Sequence, residues 1–319
     1  MLASPATPLL YWFIFIVAVL LFLALDLGVF HRQARVVHFR EALGWTAIWF
    51  VLALCFGLVL APATVPGWQR QSTFEFITGY IIELSLSMDN VFVIALLFAY
   101  FRAPQEFQHR VLFWGILGAL IMRGVMIWLG VELIHHFNWM FYLFGGFLIF
   151  TGIKMVLAGQ EEVHPEKNLA IRLTRRLFPV SSSFDGQRFL TTVEGRRALT
   201  PLALLLVTVE TSDLIFAVDS IPAIFAVTQN AFIVFTSNVF AILGLRSLYF
   251  VLAGAIRYFR FLKAGLSVVL VFIGVKMLLE RTAYKISTGL SLVVVVGIIL
   301  TSMLLSIISA RRRQVADGG

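Results

Sequence analysis

Nine apolar runs, at about 9–30, 43–61, 74–101, 111–134, 138–158, 200–228, 231–256, 262–280 and 287–310, most constrain what this chain can become. Each is close to the roughly 20 residues that carry an α-helix across a bilayer. Away from water only helices and closed barrels satisfy their own backbone, and a barrel reads as short alternating segments, not as continuous apolar runs. The expected fold is therefore all-α: a polytopic transmembrane helical bundle of about nine spans. Composition agrees, because a chain that is 60% hydrophobic and 13% charged is too apolar for a water-soluble domain.

Proline marks several boundaries: Pro62 and Pro66 follow the second run, Pro104 the third, and Pro201 opens the sixth. The weakest divider is His135 to Asn138, between the fourth and fifth runs. The net charge of +8 would suggest nucleic acid in a soluble protein, but here the bases lie between apolar runs. Arg32, Arg35 and Arg40 follow the first run, Arg102 and Arg110 the third, and Lys167 to Arg197 the fifth. Arg257, Arg260 and Lys263 follow the seventh, and Arg311 to Arg313 come near the end. By the positive-inside rule these connections are cytoplasmic, with the N-terminus outside and the C-terminus inside a plasma (inner) membrane. The bases are read as topogenic, with no nucleic-acid partner. The first run lacks a basic leader and a cleavage site, so it is expected to stay as a span.

Self-similarity divides the chain further. Phe150-Thr-Gly-Ile-Lys-Met-Val-Leu157 matches Phe272-Ile-Gly-Val-Lys-Met-Leu-Leu279. A similar shift lays Asp89-Asn-Val-Phe92 on Asp213-Leu-Ile-Phe216, and Leu120-Ile-Met-Arg123 on Leu243-Gly-Leu-Arg246. The expected layout is two N-terminal helices in 1–73, a three-helix repeat in 74–158, a cytoplasmic loop in 159–199, a second repeat in 200–280, and a last helix with a basic tail in 281–319. An odd number of helices per unit inverts one copy against the other, an architecture that places substrate near the midplane. The loop is expected to hold an interfacial helix around 166–178.

Two acidic stretches interrupt this apolar sequence: Glu83-Leu-Ser-Leu-Ser-Met-Asp89-Asn90 and Glu210-Thr-Ser-Asp213-Leu-Ile-Phe-Ala-Val-Asp219-Ser-Ile-Pro222. An ionised side chain at membrane depth costs several kcal/mol, so five carboxylates there call for a function, and cation binding is the simplest. At about 100° per residue, Glu83, Ser87 and Asn90 share one helix face, Ser85 and Asp89 another, while Asp219 lies opposite Glu210. A straight helix does not aim all of them at one ion. Pro222 cannot donate to the Val218 carbonyl, so a kink near Val218–Asp219 is expected to expose that oxygen beside a carboxylate.

Arg123 and Arg246 occupy matching repeat positions and are expected to hold some of the acids. Five carboxylates against two guanidiniums leave three formal negative charges, which a divalent cation and one proton neutralise. Oxygen donors without His or Cys suit hard ions such as Mn²⁺, Mg²⁺ or Ca²⁺, and Met88 beside Asp89 tilts the choice toward Mn²⁺. Asp26 and Glu132, near span ends, are candidate gates or proton relays, or interfacial charges that reach water. The single cysteine, Cys55, excludes an internal disulfide, a cysteine-pair redox centre and a thiolate cage.

At these residues the chain resembles the TerC/Alx family of integral membrane proteins, and its Alx branch in particular. The resemblance rests on Gly79-Tyr-Ile-Ile-Glu83 through Phe92, on Val209 through Phe225, and on Phe235-Thr-Ser-Asn238 through Arg246, and it extends over almost the whole chain. One departure is Ser87-Met88, where Alx-like proteins often read Ala-Val; the Met88 argument is without family support. The resemblance implies manganese export, with the two acidic helices carrying the ion. An older association with tellurite resistance and a redox-modulator label also come with it. The expected metal residues are Asp89, Asp213, Glu83, Glu210, Asp219 and Asn90, supported by Arg123, Arg246, Val218, Pro222, Met88 and Asp26. The expected partners are a divalent metal ion as substrate, protons and the lipid bilayer, with no organic cofactor and no enzymatic activity. The alternatives are a Ca²⁺/H⁺ exchanger, and a membrane scaffold in stress resistance that docks through the 159–199 loop.

Overall fold

Each of the nine apolar runs carries a helix in the computed structural model, which describes residues 7–25, 39–137, 139–157, 169–193, 195–253, 261–280, 282 and 284–317. Helix α1 is Leu9–Leu25. Helix α2, Phe39–Cys55, passes through a π-helical turn, Phe56–Leu60, into the short α3, Ala61–Thr64. Thr73 Oγ1 donates to the Gly57 carbonyl of that turn at 3.1 Å, so the irregular backbone is satisfied by the next long helix. That helix, α4, is Arg70–Tyr100, started by a reciprocal cap between Gln69 and Ser72. Its 31 residues extend about 46 Å, well beyond a bilayer core of about 30 Å.

Pro104 precedes α5, Gln105–His136, and the break expected near His135 falls at Phe137, before α6, Met140–Leu157. The polar loop holds α7, Leu169–Leu177, within the expected 166–178. It also holds a hairpin that the all-α expectation lacked: β1, Leu190–Val193, antiparallel to β2, Arg196–Leu199. Thr191, Thr192 and Val193 favour an extended chain, and Gly195 takes a left-handed φ of 76° at the turn. Helix α8, Pro201–Phe225, is capped by Thr200, whose hydroxyl accepts from the Ala203 amide at 3.4 Å. Helices α9, Ala231–Ala253, α10, Leu262–Leu279, and α11, Thr288–Asp317, follow.

Among the described residues, seven helical stretches are long and apolar enough to cross a membrane: Phe39–Thr64, Arg70–Tyr100, Gln105–Ile134, Met140–Leu157, Pro201–Phe225, Ala231–Val251 and Thr288–Ser306. The chain is a polytopic helical membrane protein, and α1 and α10 fall outside that set of seven at their described lengths.

Helix α4 is central, packed against α8, α9 and α11, while α5 lies on α8 and α9. Helices α6 and α10 make the closest backbone approach. A Cβ on Gly152 would lie 2.9 Å from the Ser267 carbonyl, and one on Gly274 would lie 2.7 Å from the Gly145 carbonyl. Residue numbers fall along one helix as they rise along the other, so the pair is antiparallel, and Ser267 Oγ donates to the Gly152 carbonyl.

Helix α8 stays helical through Val218–Asp219 and on through Pro222, which falls in its last turn, so the backbone is not unwound there. The side chain of Val218 is 43% exposed, on the outer side of the bundle.

Candidate functional site

One guanidinium ties the two acidic helices together. Arg123, on α5, is 1% exposed. Its Nε and Nη2 donate to Asp213 Oδ2 and Oδ1 of α8 at 3.1 and 2.8 Å, the fork geometry that arginine and carboxylate share. Its Nη1 donates to Glu83 Oε1 of α4, and at 3.4 Å reaches Asn238 Oδ1 of α9. Ser87 Oγ, one turn along α4, also donates to Glu83 Oε1 at 3.4 Å. Four helices therefore meet at one cation, and breaking such a buried pair from one side costs about 3–5 kcal/mol.

The cluster is not saturated. Glu83 is fully buried, yet among the described residues its Oε2 has no hydrogen-bond partner, and neither does Asn238 Nδ2. Glu210, on α8, is close enough to Asp213 to act on it electrostatically, and its buried Oε2 is also without a donor. Its carboxylate fills the space beside Gly118 of α5, where a Cβ would collide with it. Counted with Glu83 and Asp213, which Arg123 contacts, Glu210 beside Asp213 brings the set to three carboxylates against one guanidinium, two formal negative charges in surplus.

The remaining expected residues divide. Asn90 is 4% exposed on α4. Asp89 lies on α4, but its side chain is outside the described atoms, and Asp26 lies outside the described residues altogether. Asp219 turns to α6, where Thr151 Oγ1 donates to it at 3.4 Å, and takes no part in the Arg123 hydrogen bonds. Pro222 is buried, Met88 packs among apolar side chains, and Arg246 is half-buried on α9. Glu132 is exposed and lies 3.4 Å from His136 Nδ1.

Several hydroxyls that seemed available as ligands are used by their own helices. Ser85 donates to the Ile81 carbonyl at 2.6 Å, Thr211 to Val207 at 2.7 Å and Ser212 to Thr208 at 2.8 Å. Among the described residues no three His, Cys, Asp or Glu side chains converge as a ready-made metal cage, and the guanidinium stands between the acids. Two participants escaped sequence reasoning. Asn238 was signalled by the polar triplet Thr236-Ser-Asn238 inside an apolar run, and Gly118 carried no signal beyond its lack of a side chain.

Comparison with known proteins agrees with this architecture. The family model for the integral membrane protein TerC family matches residues 68–314. An uncharacterized membrane protein of Myxococcus xanthus is 51% identical over 309 residues, 96% of this chain and 94% of the relative. The Escherichia coli K12 protein named as a candidate membrane-bound redox modulator, Alx, is 44% identical over 321 residues, 99% of each chain. An uncharacterized membrane protein of Rickettsia bellii is 37% identical over 306 residues, 96% of this chain and 99% of the relative. No solved structure matches the chain.

Proposed function

We propose that this chain, which belongs to the integral membrane protein TerC family, exports a divalent cation, Mn²⁺ before others, from the cytoplasm in exchange for protons. One observation carries the reading: Glu83, Asp213 and Glu210 outnumber the buried Arg123, and among the described residues two of their oxygens have no donor. Unpaired charge at this depth is expensive. A divalent cation matches the surplus, and oxygen donors suit a hard ion. Arg123 holds the acids in place while the site is empty and yields one of them when the ion enters. Asn90 and Asp89 extend the donor set along α4, and Arg246 is the matching cation of the second repeat. Asp219 serves a separate step, on the α6 side.

The reading treats α4–α6 and α8–α10 as inverted repeats among nine spans, with the N-terminus outside and the C-terminus in the cytoplasm. The α6–α10 contact supports this. The shift that carries Phe150 onto Phe272 carries Gly152 onto Gly274 and Gly145 onto Ser267, so the two close approaches exchange with each other.

Expelling Mn²⁺ from a negative-inside cell works against about 2.3 kcal/mol per charge per 100 mV. The sequence holds no phosphate-binding loop that would draw on nucleotide hydrolysis, so a second gradient is needed. Protonating a carboxylate removes its charge and loosens its hold on the metal, which couples release to proton entry. Purified protein in proteoliposomes is expected to move protons when Mn²⁺ is added, more weakly as the metal-loading side is made acidic. Asp89→Asn is expected to abolish both fluxes while protein levels stay near normal; Asp213→Asn should also abolish them, with flux compared per folded protein because it weakens the pair with Arg123. Mn²⁺ moving only down its own gradient, without protons, rules out the exchange, and uptake of Ca²⁺ in preference to Mn²⁺ makes the chain a Ca²⁺ exchanger instead.

A further inference from the structure

We infer that α7 is an interfacial anchor whose arginines bind the headgroups of anionic phospholipids in the leaflet beside the basic connections. At about 100° per residue, Arg172, Arg175 and Arg176 fall within one arc of about 100°, and Leu173 and Leu177 within the neighbouring one. Among the described residues the helix is held to the bundle on the side of Ile171, which is 3% exposed, and it packs against α8. Leu173, Leu177 and Phe178 are left 55, 71 and 54% exposed. All three arginines are exposed, and none has a carboxylate partner among the described residues.

The depth of this strip is set by backbone hydrogen bonds. The Phe178 amide donates to the Thr174 carbonyl at 2.9 Å and closes the helix. The Leu199 amide then donates to the Pro179 carbonyl, and the Ser181 amide to the Leu199 carbonyl, each at 2.8 Å. Leu199 is followed by Thr200, the cap of α8, and by Pro201, its first residue. The end of α7 is thus pinned at the first turn of a helix long and apolar enough to cross the membrane, so in a bilayer spanned by α8 it would lie where that helix leaves the hydrocarbon.

At that level an apolar strip flanked by arginines meets acyl chains on one side and phosphates on the other, the arrangement by which amphipathic helices lie on membranes. Arginine pairs with phosphate through two parallel hydrogen bonds, and the cytoplasmic leaflet supplies the opposite charge. A second copy of the same face would bring arginines against arginines, so charge favours lipid over self-association.

The full chain tests this with Leu173→Cys in a Cys55→Ser background, labelled with an environment-sensitive fluorophore and placed in nanodiscs carrying a shallow spin-labelled lipid. Quenching is expected to rise with phosphatidylglycerol content. At about 30% of that lipid it should fall about threefold when Arg172, Arg175 and Arg176 are all replaced by Gln. Replacement of the same three by Lys, which keeps the charge, should retain most of it and serves as the folding control. A probe that stays in water whatever the lipid overturns the proposal. Quenching indifferent to both phosphatidylglycerol and the arginines overturns it too, since α7 would then sit on acyl chains without reading headgroups. A probe shielded from water yet out of reach of the lipid quencher assigns the face to a protein partner instead.

Discussion

Arg123 and Lys276 are buried to the same degree, each 1% exposed, and their surroundings could hardly differ more. The guanidinium donates to Glu83, Asp213 and Asn238, from three other helices. The Lys276 ammonium, on α10, has no hydrogen-bond partner among the described residues, although Glu75 and Glu280 act on it electrostatically. Those two carboxylates are engaged elsewhere. Glu75 accepts from Gln71 Nε2 at 3.1 Å, and Glu280 pairs with Lys285. Arginine is a planar fork that stays charged, so burying it demands fixed acceptors in a fixed geometry. The cluster on α4, α5, α8 and α9 supplies them, and each helix is thereby held in register with the others. Lysine is a point charge on a flexible stem, and the carboxylates nearest to it are held by other groups.

The largest effect should come from breaking the paired cation. Arg123→Met leaves Glu83 and Asp213 as uncompensated buried carboxylates, and is expected to destabilise the fold by about 3–5 kcal/mol. Thermal unfolding in detergent measures it. Arg123→Lys keeps the charge but loses the two-pronged bond to Asp213, so it should fall between the wild type and Arg123→Met. If Arg123→Met unfolds at the wild-type temperature, the guanidinium is not what joins the two acidic helices.

A smaller change sharpens the same side of the comparison. Gly118→Ala places a methyl group where the Glu210 carboxylate now lies. The obstacle is the end of a side chain that can swing, so the stability loss should stay below about 3 kcal/mol. Glu210 must nevertheless leave its position beside Asp213, and Mn²⁺ flux in proteoliposomes should collapse while the protein stays folded. Full flux with Ala at this position would remove Glu210 from the site.

Much of the frame was legible in the sequence, because apolar length and proline punctuation are local signals. All nine runs became helices, and the divider near His135 broke at Phe137 as expected. Arg123 was legible as a partner for the acids, since a lone base in an apolar run has few alternatives. What stayed hidden depends on which helix lies opposite which face. Angles along a single helix separated Asp219 from Glu210, but nothing in them pointed Asp219 toward Thr151 of α6. Nor did composition reveal that the hydroxyls of Ser85, Thr211 and Ser212 would turn back on their own carbonyls. Pro222 falls in the last turn of α8, a place that depends on where the helix ends and not on the proline itself. The hairpin at Leu190–Leu199 was masked by a loop whose mixed charge outweighed its short β-branched run.

The smallest effect should come from the unpaired cation, and its smallness is what makes it informative. Replacing Lys276 with Met removes a buried charge and substitutes an apolar chain of similar length. Exchanging buried charge for well-packed hydrophobic volume is often neutral or stabilising, whereas damage follows when a partner is orphaned. Here nothing is orphaned, because Glu75 keeps Gln71 and Glu280 keeps Lys285. The Gln71 amide also keeps its bond to Thr288 Oγ1 at 2.9 Å, so the link from α4 to α11 survives. The unfolding free energy of Lys276→Met should therefore lie within about 1 kcal/mol of the wild type, or above it. A loss as large as that of Arg123→Met would mean that the ammonium holds one of these carboxylates in solution, and that the contrast between the two cations is one of conformation and not of design. A small shift together with unchanged Mn²⁺ flux would leave Arg123 as the buried cation on which the acidic helices depend.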